Sequence, residues 1–201
     1  MWSACKVALQ KLAHQVIDYL YLDEEDYELL RNQLAFQPKE IRLNSGDKVW
    51  IRLARRNEYT DIFLIEQQAY AGKSPWKREL FYKDLNRNPR TIYLVIEAQG
   101  KKIAFLGART TEGRDIHISN IAVLPEYRSL GCASALIVQL IQFAKILAKR
   151  EITLEVRRSN LKAIHLYQRI GFLQTGVKLG YYQSEKEDAI EMTFALPNHE
   201  K

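Results

Sequence analysis

The sequence predicts a mixed α/β domain, with one central, largely antiparallel sheet flanked by helices and a helical extension in front of it. Strand-like runs at 91–98, 102–110 and 116–124 follow one another with only short turns between them, as neighbouring antiparallel strands do. A long apolar stripe at 133, 136, 137, 140, 141, 144, 147 and 148 has the spacing of a helix facing a core. From residue 48 the order β-α-α-β-β-β-α-β-α-β-β lacks the regular alternation of a doubly wound sheet.

Taken in order, Val7, Leu12, Val16, Ile17 and Leu20 make a broken helical stripe. A second helix begins near LDEEDYELL, where Asp23 fits an N-cap and the acidic residues after it suit the helix dipole. Pro38 to Asp47 reads as a linker, so the boundary is drawn between an N-terminal helical extension, 1–46, and one domain, 47–201. KVWIRLAR is strand-like, and 57–71 and 76–86 read as helices separated by AGKSPW. TIYLVIEA, KIAFLGART and IHISNIAVL are the three central strands, with GRD at 113–115 turning the chain between the last two. The long helix comes next, then strand EITLEVR, helix NLKAIHLYQRI, and strands FLQTGVKLGYY and AIEMTFAL.

The 201 residues are 47% hydrophobic and 27% charged, the balance of a soluble globular protein. A net charge of +6 suits anionic company. No run of five or six basic residues occurs, which argues against direct nucleic-acid binding. Cys5 and Cys132 form no disulfide framework, so a reducing, cytoplasmic setting is expected. Gln10, Lys11, His14, Gln15 and Asp18 interrupt the apolar N-terminal stretch, which therefore has neither a signal-peptide core nor a membrane span. His14, His117, His165 and His199 lack ligand spacing, and no metal is expected.

The informative stretch is NIAVLPEYRSLGCASALI, residues 120–137. It places Gly131, Cys132, Ala133, Ser134 and Ala135, all small, at the mouth of the long helix, directly after a strand and a proline turn. A helix N-terminus offers unpaired N–H groups and partial positive charge, and bulky side chains there would keep a phosphate from those donors. A pyrophosphate cradle fits, and so does a tight turn followed by helix-favouring alanines. No Gly-Lys-Ser/Thr follows, which excludes a Walker loop, and one mid-chain glycine is a poor dinucleotide fingerprint.

Arg128-Ser-Leu-Gly-Cys-Ala133 matches the Arg/Gln-x-x-Gly-x-Gly/Ala signature of the GNAT N-acetyltransferase superfamily, which the chain resembles. NIAVLPEYR, LEVRRSNLKAIHLYQRIGF and YYQSEKEDAIEM are similar to three successive blocks of its RimI branch, the ribosomal-protein-alanine N-acetyltransferases. The resemblance covers about 48–197 and leaves the extension outside. Ala133 stands where that branch often has glycine. The resemblance implies a GNAT-like fold and acetyl-coenzyme A as cosubstrate. It also implies, as acceptor, the N-terminal alanine of a small-subunit ribosomal protein. Other protein N-termini, lysines, small amines, or a non-catalytic coenzyme A-binding module are the alternatives. Neither nucleic acid nor a membrane is expected as a partner.

It also assigns residues. Ile121, Ala122 and Val123 would face the thioester and pantetheine with their backbone, the Val123 N–H polarising the thioester carbonyl. Arg128, Ser129, Leu130, Gly131, Cys132, Ala133 and Ser134 would hold the pyrophosphate, and Asn160 would reach the cofactor with its side chain. Without the family, Asn160 reads as an N-cap. Glu155 would be the general base, directly or through water, a half-buried strand position raising its pKa. Alone it reads as a solvent-facing strand carboxylate. Tyr167 would protonate the departing thiolate, although Leu166, Ile170 and Phe172 make it look like core. Tyr181 with Tyr182 matches an aromatic pair near the family's acceptor groove, and Pro75 with Trp76 resembles the PW of its acceptor-side helix; the tyrosines also read as a strand-end aromatic cluster. An acyl-Cys132 intermediate is disfavoured, because no His or Asp stands beside Cys132 in the sequence.

Overall fold

The computed structural model describes residues 24–72, 74, 76–111, 113, 115–183 and 185–197. The helix expected within 1–23 lies outside them, as do Cys5, His14, Pro75 and His199. The strands are β1 (Lys39–Arg42), β2 (Lys48–Leu53), β3 (Thr91–Ala98), β4 (Lys101–Thr110), β5 (Asp115–Val123), β6 (Glu151–Arg157), β7 (Leu173–Tyr182) and β8 (Glu187–Ala195). They form one sheet in the order β1-β2-β3-β4-β5-β6-β8-β7. All neighbours are antiparallel except β5 and β6.

In β3 and β4 the runs Ile92–Ile96 and Ile103–Leu106 are buried without alternation, so both faces of the sheet need cover. Helices α2 (Tyr59–Ala69) and α3 (Arg78–Arg87), which follow α1 (Glu24–Leu34), cover one face. Phe81 of α3 packs edge-on against Tyr93 and Phe105. Helix α4 (Cys132–Ile146) covers the other with the predicted stripe, burying Leu136, Ile137, Leu140 and Ala144 together with Phe143. Because α4 carries the chain from β5 across to β6, those two strands run parallel. Helix α5 (Leu161–Ile170) packs beside α4.

The stretch read as a linker, Pro38–Asp47, holds strand β1 paired to β2 and a tight turn. Lys39, Glu40 and Arg42 are exposed, as charged residues on an edge strand are, so no apolar alternation announces it. Leu34 and Leu43 are in the core, and Phe36 meets Phe143 edge-on at 5.0 Å.

Two irregularities position the site. Gly107 opposes Asn120 and Ala108 opposes Ile118, so Ser119 is an extra residue and β5 bulges there. The β5–β6 pairing ends at Ile118 and Leu154. Beyond that pair β5 stays on β4 as far as Val123 and β6 stays on β8 as far as Arg157, so the two strands part like a fork.

Candidate active site

A cleft of about 1220 Å³ opens along the fork, walled by the far end of β5, the start of α4 and one face of α5. All of the expected cofactor-binding residues line it except Leu130. Leu130 instead turns its carbonyl to the Asn44 N–H, which donates to it at 2.9 Å.

The mouth of α4 leaves backbone donors open to the cleft. Ser129 and Gly131 both adopt left-handed backbone, φ 62° and 93°, a conformation that glycine takes without steric cost. Among the described residues no side chain caps the helix, and its first intrahelical bond runs from the Ala135 N–H to the Gly131 carbonyl. The N–H groups of Cys132, Ala133 and Ser134 therefore have no partner one turn back and face the cleft mouth. Arg128 donates to the Ala69 and Val123 carbonyls, which ties the loop to α2 and β5. Lys162 and Arg169 on α5 add positive charge along the facing wall, which His165 also lines. Sequence reading missed these three, although 162, 165, 166 and 169 recur at helical spacing. Asn160 caps α5, its side-chain oxygen accepting the Ala163 N–H at 3.2 Å. The capping reading thus holds in a residue that also lines the cleft.

On β5 the Leu124 N–H bonds to Ile103 of β4, so by alternation the Val123 N–H faces away from β4 into the fork. The carbonyls of Ile121 and Val123 lie on that same edge, accepting from the Tyr70 hydroxyl and from Arg128. Tyr70, at the end of α2, was not singled out in the sequence.

Glu155 is the first residue past the last β5–β6 pair. Ile152, Leu154 and Val156 are buried, so Glu155 projects from the opposite face, together with His117 and Thr153. Its carboxylate meets His117 Nε2 at 3.1 Å and Lys178 Nζ at 2.7 Å. The expected upward pKa shift is not found. The His117 hydrogen bond and the Lys178 ammonium outweigh partial burial and hold this carboxyl at about 2. A strand position sets only the burial; the two partners, an imidazole and an ammonium, come from β5 and β7, remote in sequence.

Tyr167 is 5% exposed and packs against Phe172, in the core as its neighbours implied. Burial first, then the nearby Tyr70 and Tyr182, push its pKa well above the ordinary value near 10, which keeps the hydroxyl protonated. Neither Glu155 nor Tyr167 borders the cleft itself. Tyr181 and Tyr182 meet edge-on at 5.2 Å, and Arg157 lies 4.0 Å over the Tyr182 ring while pairing with Glu185 and Glu187. Trp76 packs on Phe81, and its backbone N–H donates to Ser74 Oγ. Cys132 is 2% exposed, and burial pushes its thiol up to about 11, so it is a poor nucleophile at neutral pH.

A second carboxylate stands out. Glu66 of α2 is 2% exposed; Oε1 accepts from Ser74 Oγ at 2.6 Å, and Oε2 has no partner among the described residues. The side-chain nitrogen and oxygen of Asn120 are likewise buried and unpartnered. Burial, only partly offset by Ser74, raises Glu66 to about 7. With an unfolded value near 4.5, the native state holds this proton longer, so its contribution to stability is lost as pH rises from 4.5 through 7. Glu66→Gln mimics the protonated form. The variant should match wild type at pH 4 and exceed it by about 3 kcal/mol at pH 8 in urea unfolding. Equal stability at both pH values would contradict this assignment.

The Acetyltransferase (GNAT) family model matches residues 54–172. The [ribosomal protein bS18]-alanine N-acetyltransferase of Escherichia coli K12 is 34% identical over 145 residues, covering 70% of this chain and 93% of that protein. The crystal structure of the ribosomal-protein-S18-alanine N-acetyltransferase from Escherichia coli superposes with a TM-score of 0.68 at 27% identity, over 76% of this chain and 98% of that one. A Bacillus anthracis acetyltransferase in complex with acetyl coenzyme A superposes with a TM-score of 0.51 at 27% identity, over 54% of this chain and 64% of that one.

Proposed function

The chain belongs to the GNAT family of acetyltransferases, and from that premise we propose that it acetylates the N-terminal alanine of ribosomal protein bS18, with acetyl-coenzyme A as donor. The observation that carries the reading is the fork. It aligns an anion cradle at the mouth of α4, an inward backbone edge at Ile121–Val123, and a paired carboxylate at the point where β5 and β6 part.

Acetyl-coenzyme A supplies an activated acetyl on a thiol leaving group. Gly131 to Ser134, with Arg169 and Lys162 opposite, hold its diphosphate. The Val123 N–H stabilises charge on the thioester oxygen. Glu155, ionised throughout the neutral range, draws in the acceptor ammonium and takes its proton directly or through one water. The C–N bond forms, the C–S bond breaks, Tyr167 gives the departing thiolate a proton, and the second proton shed by the new amide nitrogen returns Tyr167 to its phenol form. Trp76, Tyr181 and Tyr182 border the acceptor's approach, and the reaction takes place in the cytoplasm.

A carboxylate this acidic accepts a proton reluctantly, which favours an acceptor that is partly neutral beforehand. An α-amine with pKa about 8 is roughly a tenth neutral at pH 7, whereas lysine at about 10.4 is neutral well below one part in a thousand. A peptide with free N-terminal alanine should therefore gain label from acetyl-coenzyme A, and the same peptide, blocked at its N-terminus but carrying lysines, should not. Efficient labelling of the blocked peptide would move the assignment to lysine, and labelling of polyamines alone would move it to small amines.

A further inference from the structure

The pyrophosphate loop is held from outside the segment matching the family model, which spans residues 54–172. Asn44 sits in the β1–β2 turn and borders the cleft. Its backbone N–H donates to the Leu130 carbonyl at 2.9 Å, and its side-chain Nδ2 donates to the Ser129 carbonyl at 3.4 Å. Its Oδ1 lies 3.3 Å from the point where a side chain on Gly131 would begin. One residue thus binds two consecutive carbonyls of the loop and stands beside the third residue, Gly131. We propose that Asn44 is a positioning residue for cofactor binding, fixing the Ser129–Gly131 loop in its diphosphate-binding shape. The proposal rests on reading the cleft as a coenzyme A site.

In a trans peptide the N–H points opposite to the preceding carbonyl. Tying down the Ser129 and Leu130 carbonyls therefore fixes where the Leu130 and Gly131 N–H groups point. The loop needs such a brace, because Ser129 is a non-glycine residue with φ 62°. The turn that presents Asn44 is itself braced. The Leu43 N–H donates to the Asp47 carbonyl at 2.9 Å, the Gly46 N–H to the Leu43 carbonyl at 2.9 Å, and Ser45 Oγ to Asp47 at 2.6 Å, while the Leu43 side chain is buried. The brace is therefore a preorganised part of the fold, and it acts only on the end of the cofactor that carries phosphate.

The test is steady-state kinetics of the full chain with two donors, acetyl-coenzyme A and acetyl-pantetheine, which lacks the diphosphate. Asn44→Ala should raise KM for acetyl-coenzyme A about tenfold with kcat nearly unchanged, and leave KM for acetyl-pantetheine as in wild type. Asn44→Asp, which loses the Nδ2 donor and adds a negative charge beside the loop, should raise KM further, with the excess reduced by salt. Equal KM values for acetyl-coenzyme A in wild type and both variants would overturn the proposal. So would KM increases that are the same for both donors, since those would report a general loosening. If wild type itself shows no calorimetric affinity for coenzyme A, the reading of the cleft fails, and the proposal with it.

Discussion

A Gly131→Asp variant is expected to fold and to lose measurable coenzyme A affinity. Three effects point the same way. At φ 93° a side chain strains the backbone, and its first carbon would press on Asn44 Oδ1 at 3.3 Å. The added carboxylate would also enter the space where the unpaired N–H groups of α4 and the cations Arg128, Lys162 and Arg169 favour an anion. The last effect is the largest, because it replaces attraction by like-charge repulsion at close range. Gly131→Ala keeps the strain without the charge and should bind with intermediate affinity. Isothermal calorimetry with coenzyme A measures both variants. Unchanged affinity in a folded Gly131→Asp protein would remove the phosphate from the mouth of α4.

Glu155→Gln should lower turnover by about 10²–10⁴-fold while cofactor affinity stays near that of wild type. Because His117 and Lys178 hold Glu155 at about 2, its own protonation contributes nothing to the rate profile above pH 5. The wild-type rate should instead rise with pH as the acceptor amine titrates near pH 8. The deficit of Glu155→Gln should shrink over that same interval, as more amine arrives already neutral. Tyr167→Phe keeps the ring packed on Phe172 and removes only the proton donor. Its loss should therefore not follow the amine's titration. A wild-type limb near pH 7 that disappears in Glu66→Gln would transfer the base to Glu66, whose carboxyl titrates there. Near-normal turnover of Glu155→Gln across neutral pH would leave Glu155 as an ion-pair partner only.

The central strands and α4 were legible because burial writes itself into local sequence. β3 and β4 are unbroken apolar runs, α4 repeats at helical spacing, and Gly131 announces a left-handed turn. Strand β1 was not legible, since a four-residue charged edge has the pattern of a loop. Nor was the placement of β8 between β6 and β7, because two successive antiparallel strands read alike in either order. At the site, the stretch 121–134 could be read as one piece. The partners of Glu155 could not: His117 and Lys178 reach it from strands 38 and 23 positions away in sequence, and they reverse the pKa shift that burial alone implies. Asn44 lay hidden for the same reason, its contact with Ser129 spanning 85 positions. Glu66 carried no signal in a helix of mixed polarity, and only its burial sets it apart.

The account requires acetyl to pass straight from the thioester to the amine. The most direct measurement is a quenched single-turnover experiment with carbon-labelled acetyl-coenzyme A, read by intact mass and peptide fragmentation. Without acceptor, the protein should emerge at its own mass, because the Cys132 thiol is buried and pushed up to about 11. With a peptide beginning in alanine, one acetyl group should appear on the peptide's α-nitrogen at the rate at which free coenzyme A is released. An acetylated protein that passes its label to the peptide, or a peptide that stays unlabelled while coenzyme A binds, would contradict the account.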